Sequence, residues 1–252
     1  MSSKLYEFDS GVKQVIVAGD LHGDLKSFEK SLQYWQSNPA ASLVLLGDYA
    51  DRGPQGIEII ETLIKLKTNA RIIPLKGNHE DYSGGGEPLF NPFSLNSEVE
   101  NKRGDWQDYF QRTLKPFFAQ LHLAAVIPGK FLLVHGGISS KIRKIDQLRR
   151  PSREIEEDLL WSDPGDDEGE RPGKRGAGVE FGPDVSKRTL DNLDVKQVIR
   201  SHQPYLAESG PYFSHAGRIV TISTTRVYGG RPFLLEINTQ ESQFQVLFLD
   251  EI

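Results

Sequence analysis

Apolar positions along the chain fall into short runs and helical stripes that alternate through the first third. Gln14 to Ala18 reads QVIVA, a buried strand ending at Gly19-Asp20. Leu25, Phe28, Leu32 and Trp35 recur at helical spacing and predict a helix over Leu25 to Trp35. Ser42 to Leu46 is a second apolar strand, again ending in Gly-Asp. Pro54 can open the next helix, whose buried stripe is Ile57, Ile60, Leu63 and Ile64. Arg71 to Leu75 is a third strand, ending at Gly77-Asn78. The order β-α-β-α-β, with strands about thirty residues apart, predicts a parallel, doubly wound sheet with right-handed crossovers.

Asp81 to Asp105 breaks this rhythm with Gly84-Gly85-Gly86, Pro88 and Pro92, and reads as a long loop, functional or disordered. A helix is expected over Trp106 to Leu121, strands at Leu123 to Ile127 and Phe131 to Val134, and a helix over Ser152 to Leu160. Pro164 to Gly178 is charged and rich in Gly and Pro, and by itself reads as a solvated linker. Strand-like runs follow at Gln197 to Ile199, Arg218 to Ile222, Phe233 to Ile237 and Phe244 to Leu249. No repeat and no domain linker stands out, so the expected architecture is one α/β domain over residues 1–252 with a mixed second sheet.

The composition adds exclusions. Hydrophobic content of 37% and charged content of 26% fit an ordinary globular chain, and 35 Asp and Glu against 30 Lys and Arg argue against nucleic acid as partner. With no cysteine, disulfides, thiolate metal sites and a cysteine nucleophile are all excluded. The first nine residues lack the apolar run of a signal peptide, and no run approaches the ~20 residues of a membrane span. The expectation is a cytoplasmic enzyme without membrane association; no motif fixes an oligomeric state.

The chemistry gathers at strand ends. In open α/β sheets ligands bind beyond the carboxyl ends of the strands, so three parallel strands would aim Asp20, Asp48 and Asn78 at one crevice. His22 follows Asp20 by two residues, His135 ends the strand FLLV, and His202 follows the strand QVIR by two residues. Oxygen and imidazole donors without sulfur suit manganese, iron or zinc, and a bridging carboxylate would give a two-metal clamp. Gly-Asp after a strand is by itself a common turn; the combination is what is specific. Of the six histidines, His122 and His215 lie outside these motifs and read as ordinary surface or hydrogen-bonding residues.

GDLHG (19–23), GDYADRG (47–53), GNHE (77–80), HGG (135–137), WSDP (161–164), RGAGVEFG (175–182) and RSHQP (200–204) resemble, in order, the motif series of the PPP serine/threonine protein phosphatases. The first four are shared with the wider metallophosphoesterase superfamily; the last three are particular to the protein phosphatases. The resemblance implies a calcineurin-like metallophosphoesterase sandwich, two mixed β-sheets flanked by helices, acting on phosphoserine and phosphothreonine in proteins. It implies that Asp20, His22 and Asp48 hold one metal ion, and that Asp48, Asn78, His135 and His202 hold a second, with Asp48 bridging and a hydroxide between the ions as nucleophile. It further implies His79 as the acid that protonates the leaving oxygen, Asp51 as its partner, and Arg52, Arg175 and Asn78 as phosphate-binding groups. The competing readings are a dinucleoside polyphosphate hydrolase, which WSDP and RGAGVEFG argue against, and a non-catalytic binding module, which should have lost ligands. Three stretches depart from the family pattern. STTRVYGG (223–230) lacks the usual cysteine, shifts the tyrosine to Tyr228 and adds Arg226. DYSGGGEPLFNPFSLNSE follows GNHE in place of a helical continuation. Ala50 replaces a valine.

Overall fold

The computed structural model describes residues 3–252, so the first two positions of the expected 1–252 unit lie outside the described residues. The strands are β1 (Leu5–Glu7), β2 (Gln14–Ala18), β3 (Ala41–Leu45), β4 (Ile72–Pro74), β5 (Ala124–Ile127), β6 (Phe131–Val134), β7 (Asp163–Pro164), β8 (Glu170–Pro172), β9 (Val179–Phe181), β10 (Gln197–Arg200), β11 (Tyr212–Ser214), β12 (Ile219–Thr221), β13 (Phe233–Asn238) and β14 (Gln243–Phe248). The helices are α1 (Leu25–Gln36), α2 (Gly56–Leu66), α3 (Leu95–Lys102), α4 (Trp106–Tyr109), α5 (Lys115–Gln120), α6 (Asp146–Arg149), α7 (Arg153–Trp161) and α8 (Pro183–Leu193).

One sheet has the order β14-β13-β2-β3-β4, the other β1-β5-β6-β10-β12-β11. As the spacing predicts, β2, β3 and β4 are parallel, while β13 and β14 extend that sheet antiparallel. The second sheet is also mixed: β6, β10 and β12 run parallel, and β5 and β11 join antiparallel to their neighbours β6 and β12. The sheets face each other across one apolar layer. Val15, Val17 and Val44 from the first meet Leu133, Ile199 and Val220 from the second. On the outer faces Ile16, Leu43 and Leu45 pack under α1 and α2, and Leu132, Val134 and Val198 pack under α7 and α8. Both faces of each central strand are therefore buried, which is why these strands read as unbroken apolar runs rather than alternating ones. Each fully buried Leu, Val or Ile here contributes about 1.5–3 kcal/mol.

Four expectations are corrected. Pro164 to Gly178 is no linker: β7, β9 and β8 form a third, three-stranded sheet, with Arg200 Nη2 donating to Asp163 Oδ1 at 2.9 Å and Ser140 to Glu170. The long loop contains α3, anchored by buried Leu95 and Val99. The Glu98 carboxylate of α3 accepts the N–H groups of Gly56 and Ile57, so α2 starts two residues after Pro54 with a cap supplied from elsewhere in the chain. The helix expected over Trp106 to Leu121 is interrupted by a wider π turn at Phe110–Leu114 before α5, where Pro116 sits in the first turn. Proline has no N–H to give and crowds the preceding turn, and here the π turn lies just before it.

Candidate metal centre and phosphate cleft

The loops leaving β3 and β4 touch because two glycines allow it. A Cβ on Gly47 would stand 2.3 Å from the Gly77 nitrogen, and one on Gly77 would stand 2.2 Å from Asp48 Oδ1. The chain then turns through left-handed backbone at His22, Asp48, Asp51, Arg52 and His202, five of the nine non-glycine residues with positive φ among the described residues. Such conformations cost on the order of 1–3 kcal/mol each and persist only where neighbours over-determine them. Here the buried Glu80 carboxylate accepts the N–H groups of Asp48, Tyr49 and Gly77 at 2.9, 2.9 and 2.8 Å. The Asp48 carbonyl accepts from His22 N at 2.8 Å, and the His22 carbonyl from Gly53 N at 2.9 Å. Glu80 is a residue the sequence reading left without a role. Burial pushes its carboxyl up to about 7, against the pull of those three donors.

The buried acceptors converge. His135 Nδ1 lies 3.0 Å from the Leu46 carbonyl, which fixes the proton there and leaves Nε2 a bare lone pair. That Nε2 is 2.9 Å from Asn78 Oδ1, 3.0 Å from His202 Nδ1 and 3.4 Å from Asp48 Oδ1. His22 repeats the pattern. Its Nδ1 faces the Ala50 carbonyl at 3.1 Å, and its Nε2 points between Asp48 Oδ2 at 3.4 Å and Asp20 Oδ2 at 3.8 Å. Asp20 Oδ1 is satisfied by Ser201 Oγ at 2.5 Å and His202 N at 3.1 Å, whereas Asp20 Oδ2 and His202 Nε2 are buried without a hydrogen-bond partner. Burial lowers His22 to about 4 and His135 to about 3, and pushes His202 well down, so all three are neutral at pH 7. Burial, then the nearby charges of Asp20 and Glu80, push the Asp48 carboxyl well above its usual range. Carboxylates packed this closely repel one another, and divalent cations among them and the ring nitrogens would offset that repulsion. Asp48, His135 and His202 each bring a ligand atom within 4.8 Å of the others, as do His22, Asp48 and His79. The six strand-end donors of the sequence reading are thus all brought together, and they fit a pair of cations.

His79 shares that second group, but its ring is engaged elsewhere. Nδ1 lies 2.7 Å from Asp51 Oδ2, and Nε2 is 4.0 Å from Asp48 Oδ2. Asp51 Oδ1 accepts from Ser94 N at 2.5 Å and Leu95 N at 2.9 Å, at the start of α3. Burial would raise the Asp51 carboxyl, but the hydrogen bond and charge of His79 with these two N–H groups hold it below its usual range. The Phe90 ring covers His79 at 4.4 Å between centroids.

Above these residues opens a cleft of about 780 Å³, lined by Arg52, Asn78, His79, Phe90, Trp161 and Arg175 among others. Two guanidinium groups therefore share one cleft with Asn78 and His79. Arg175 is placed by Asp163, whose Oδ2 is 3.5 Å from its Nε, and by the His202 carbonyl at 3.4 Å. Asp163 also binds Arg200, which is fully buried and donates from Nη1 to Gln203 at 2.5 Å. Arg200, Asp163 and Ser201 carried no assignment in the sequence reading beyond belonging to WSDP and RSHQP. Tyr228 does stand at the site, its ring 5.4 Å from that of His22. Arg226 does not: its backbone N and Nη1 bind Asp24 and Ser27 at the start of α1.

The calcineurin-like phosphoesterase family matches residues 13–206. A serine/threonine-protein phosphatase of Caenorhabditis elegans is 29% identical over 239 residues, covering 90% of this chain and 50% of that protein. Serine/threonine-protein phosphatase 5 of Arabidopsis thaliana is 34% identical over 231 residues, covering 86% of this chain and 40% of that protein. The chain thus spans half or less of the curated relatives it matches. A solved Saccharomyces cerevisiae serine/threonine phosphatase, described as similar to human protein phosphatase 5, superposes with a TM-score of 0.77 at 23% identity over 98% of this chain and 84% of that one. A putative diadenosine tetraphosphatase superposes with a TM-score of 0.60 at 15% identity over 98% of each chain. These two likenesses bear on the fold.

Proposed function

The chain belongs to the calcineurin-like phosphoesterase family, and we propose that within it this protein is a two-metal phosphomonoesterase releasing phosphate from phosphoserine and phosphothreonine in proteins. The observation that carries the reading is the crowding of buried ring nitrogens and side-chain oxygens of ligand type around His135 Nε2, with Asn78 Oδ1, His202 Nδ1 and Asp48 Oδ1 all within 3.4 Å. In this reading Asp20, His22 and Asp48 hold one ion, and Asp48, Asn78, His135 and His202 hold the other; oxygen and imidazole donors suit manganese, iron or zinc. When bound, such ions supply Lewis acidity that offsets phosphoryl charge and makes water a nucleophile at neutral pH.

The remaining work falls to the chain's own side chains. Arg52 and Arg175 enter the cleft with paired N–H donors that match phosphoryl oxygens, which a lysine cannot do with the same geometry. A serine or threonine alkoxide is a poor leaving group unless protonated as it departs. His79 Nε2 delivers that proton, while Asp51 holds Nδ1 and the start of α3 holds Asp51. Phe90 covers one side of the His79 ring. The protein-phosphatase substrate class is supported by WSDP, RGAGVEFG and RSHQP. Arg175, Asp163 and Arg200, drawn from those three motifs, form one connected group at the cleft. The experiment is phosphate release from phosphoserine and phosphothreonine peptides by manganese-loaded protein, with and without chelator. Chelator-sensitive release supports the reading; no release from either peptide by metal-replete protein would overturn it.

A further inference from the structure

The residues that follow GNHE build a surface that the phosphate chemistry does not use. Leu89 is 48% exposed and Phe93 40% exposed, although both are large and apolar. They flank Phe90, which is buried, lies 4.4 Å from the His79 ring and 6.5 Å from the Phe93 ring. The strip is not loose. Leu89 N donates to the Asp81 carbonyl at 2.9 Å, Tyr82 bridges to Pro88, and the Ser94 and Leu95 N–H groups end on Asp51. Leu89 and Phe90 line the cleft, and Phe93 lies outside that lining with its ring edge-on to Phe90.

We propose that Leu89 and Phe93 form a specificity shelf for a large aliphatic residue flanking the phosphorylated serine or threonine. The inference rests on the phosphoprotein reading above. Arg52 and Arg175 line the cleft with Leu89 and fix where the phosphate sits. A volume of 780 Å³ is about 11 Å across if compact, and extended chain advances ~3.3–3.6 Å per residue. A phosphopeptide anchored at the arginines therefore lays a side chain one to three positions away on the shelf. A dianionic phosphate matches the guanidinium side, and an aliphatic side chain matches the Leu89 side. A free nucleotide offers the first without the second.

The test uses phosphoserine peptides of glycine and serine, with leucine placed in turn at each of the three positions on either side. At one or two positions leucine raises kcat/KM about tenfold or more over serine, the scale set by burying part of an aliphatic side chain. Leu89→Ser and Phe93→Ser, made separately at these exposed sites, each cut that preference to about threefold or less. Equal efficiency at every position, or a preference that survives both substitutions, overturns the inference and leaves the phosphatase reading standing. Hydrolysis of none of the peptides overturns both.

Discussion

Asp51→Asn separates proton delivery from metal binding. The carboxylate has one oxygen, Oδ2, 2.7 Å from His79 Nδ1, and the other, Oδ1, under the N–H groups of Ser94 and Leu95. Asparagine keeps the shape but has only one acceptor oxygen. Two backbone donors outweigh one imidazole, so the amide nitrogen turns towards His79, and Nδ1 must accept instead of donate. The ring loses its charge-assisted hydrogen bond, an interaction worth about 1.5–3 kcal/mol. At about 1.4 kcal/mol per tenfold, this is a fall of roughly 10- to 150-fold in kcat on a phosphoserine peptide. An aryl phosphate with a nitrophenolate leaving group needs little protonation, and its kcat should fall by less than about threefold. His79→Asn should cost about 10²–10⁴ on the peptide. The double variant should be no worse than His79→Asn alone, because the two residues act as one unit. The assay is steady-state kinetics of four proteins on both substrates. Equal losses on the two substrates, or multiplicative losses in the double variant, would refute the assignment.

Asp48→Asn should reduce divalent metal content at saturation more than any other ligand change, since its two oxygens face His22 and His135 separately; elemental analysis showing wild-type content would remove the bridging role. Arg52→Ala and Arg175→Ala should each weaken inhibition by inorganic phosphate and lower kcat/KM without loss of metal. Lysine should rescue only in part, and a silent Arg175→Ala would contradict its place in the cleft. In chelated protein, His22 and His135 resist protonation to about 4 and about 3, while an unfolded histidine takes up its proton near 6.5. Unfolding therefore binds protons within that window, so stability is full above it and is lost as pH falls through it. Glu80 and Asp48, whose carboxyls burial raises, take up protons more readily folded than unfolded and offset part of this loss, while His202 adds to it. The Tm of chelated protein should fall from pH 6.5 towards 4; a Tm that rises over that range would contradict the buried, neutral state of the three rings.

The β2-to-β4 unit and the six strand-end donors were legible because both sheet faces are buried there, which writes each strand as an unbroken apolar run ending in Gly-Asp or Gly-Asn. What failed to read locally was set by distant contacts. The three-stranded sheet is built from strands of two or three residues, too short for any periodicity, and Asp163 pairs with Arg200 thirty-seven positions on. In α3 only Leu95 and Val99 mark a buried face, and the glycines and prolines upstream mask them. No local pattern announces that Arg200 is buried or that Glu80 ties three backbone N–H groups. Phe90 reads as one apolar residue in a loop until the fold lays it on His79.

The central claim is that this metal centre serves phosphoproteins. It is tested most directly by one comparison: kcat/KM of the manganese-loaded protein on a phosphoserine peptide and on diadenosine tetraphosphate, side by side. The account predicts a clear preference for the peptide, with phosphate released and both activities lost on chelation. A clear preference for the dinucleotide would contradict it.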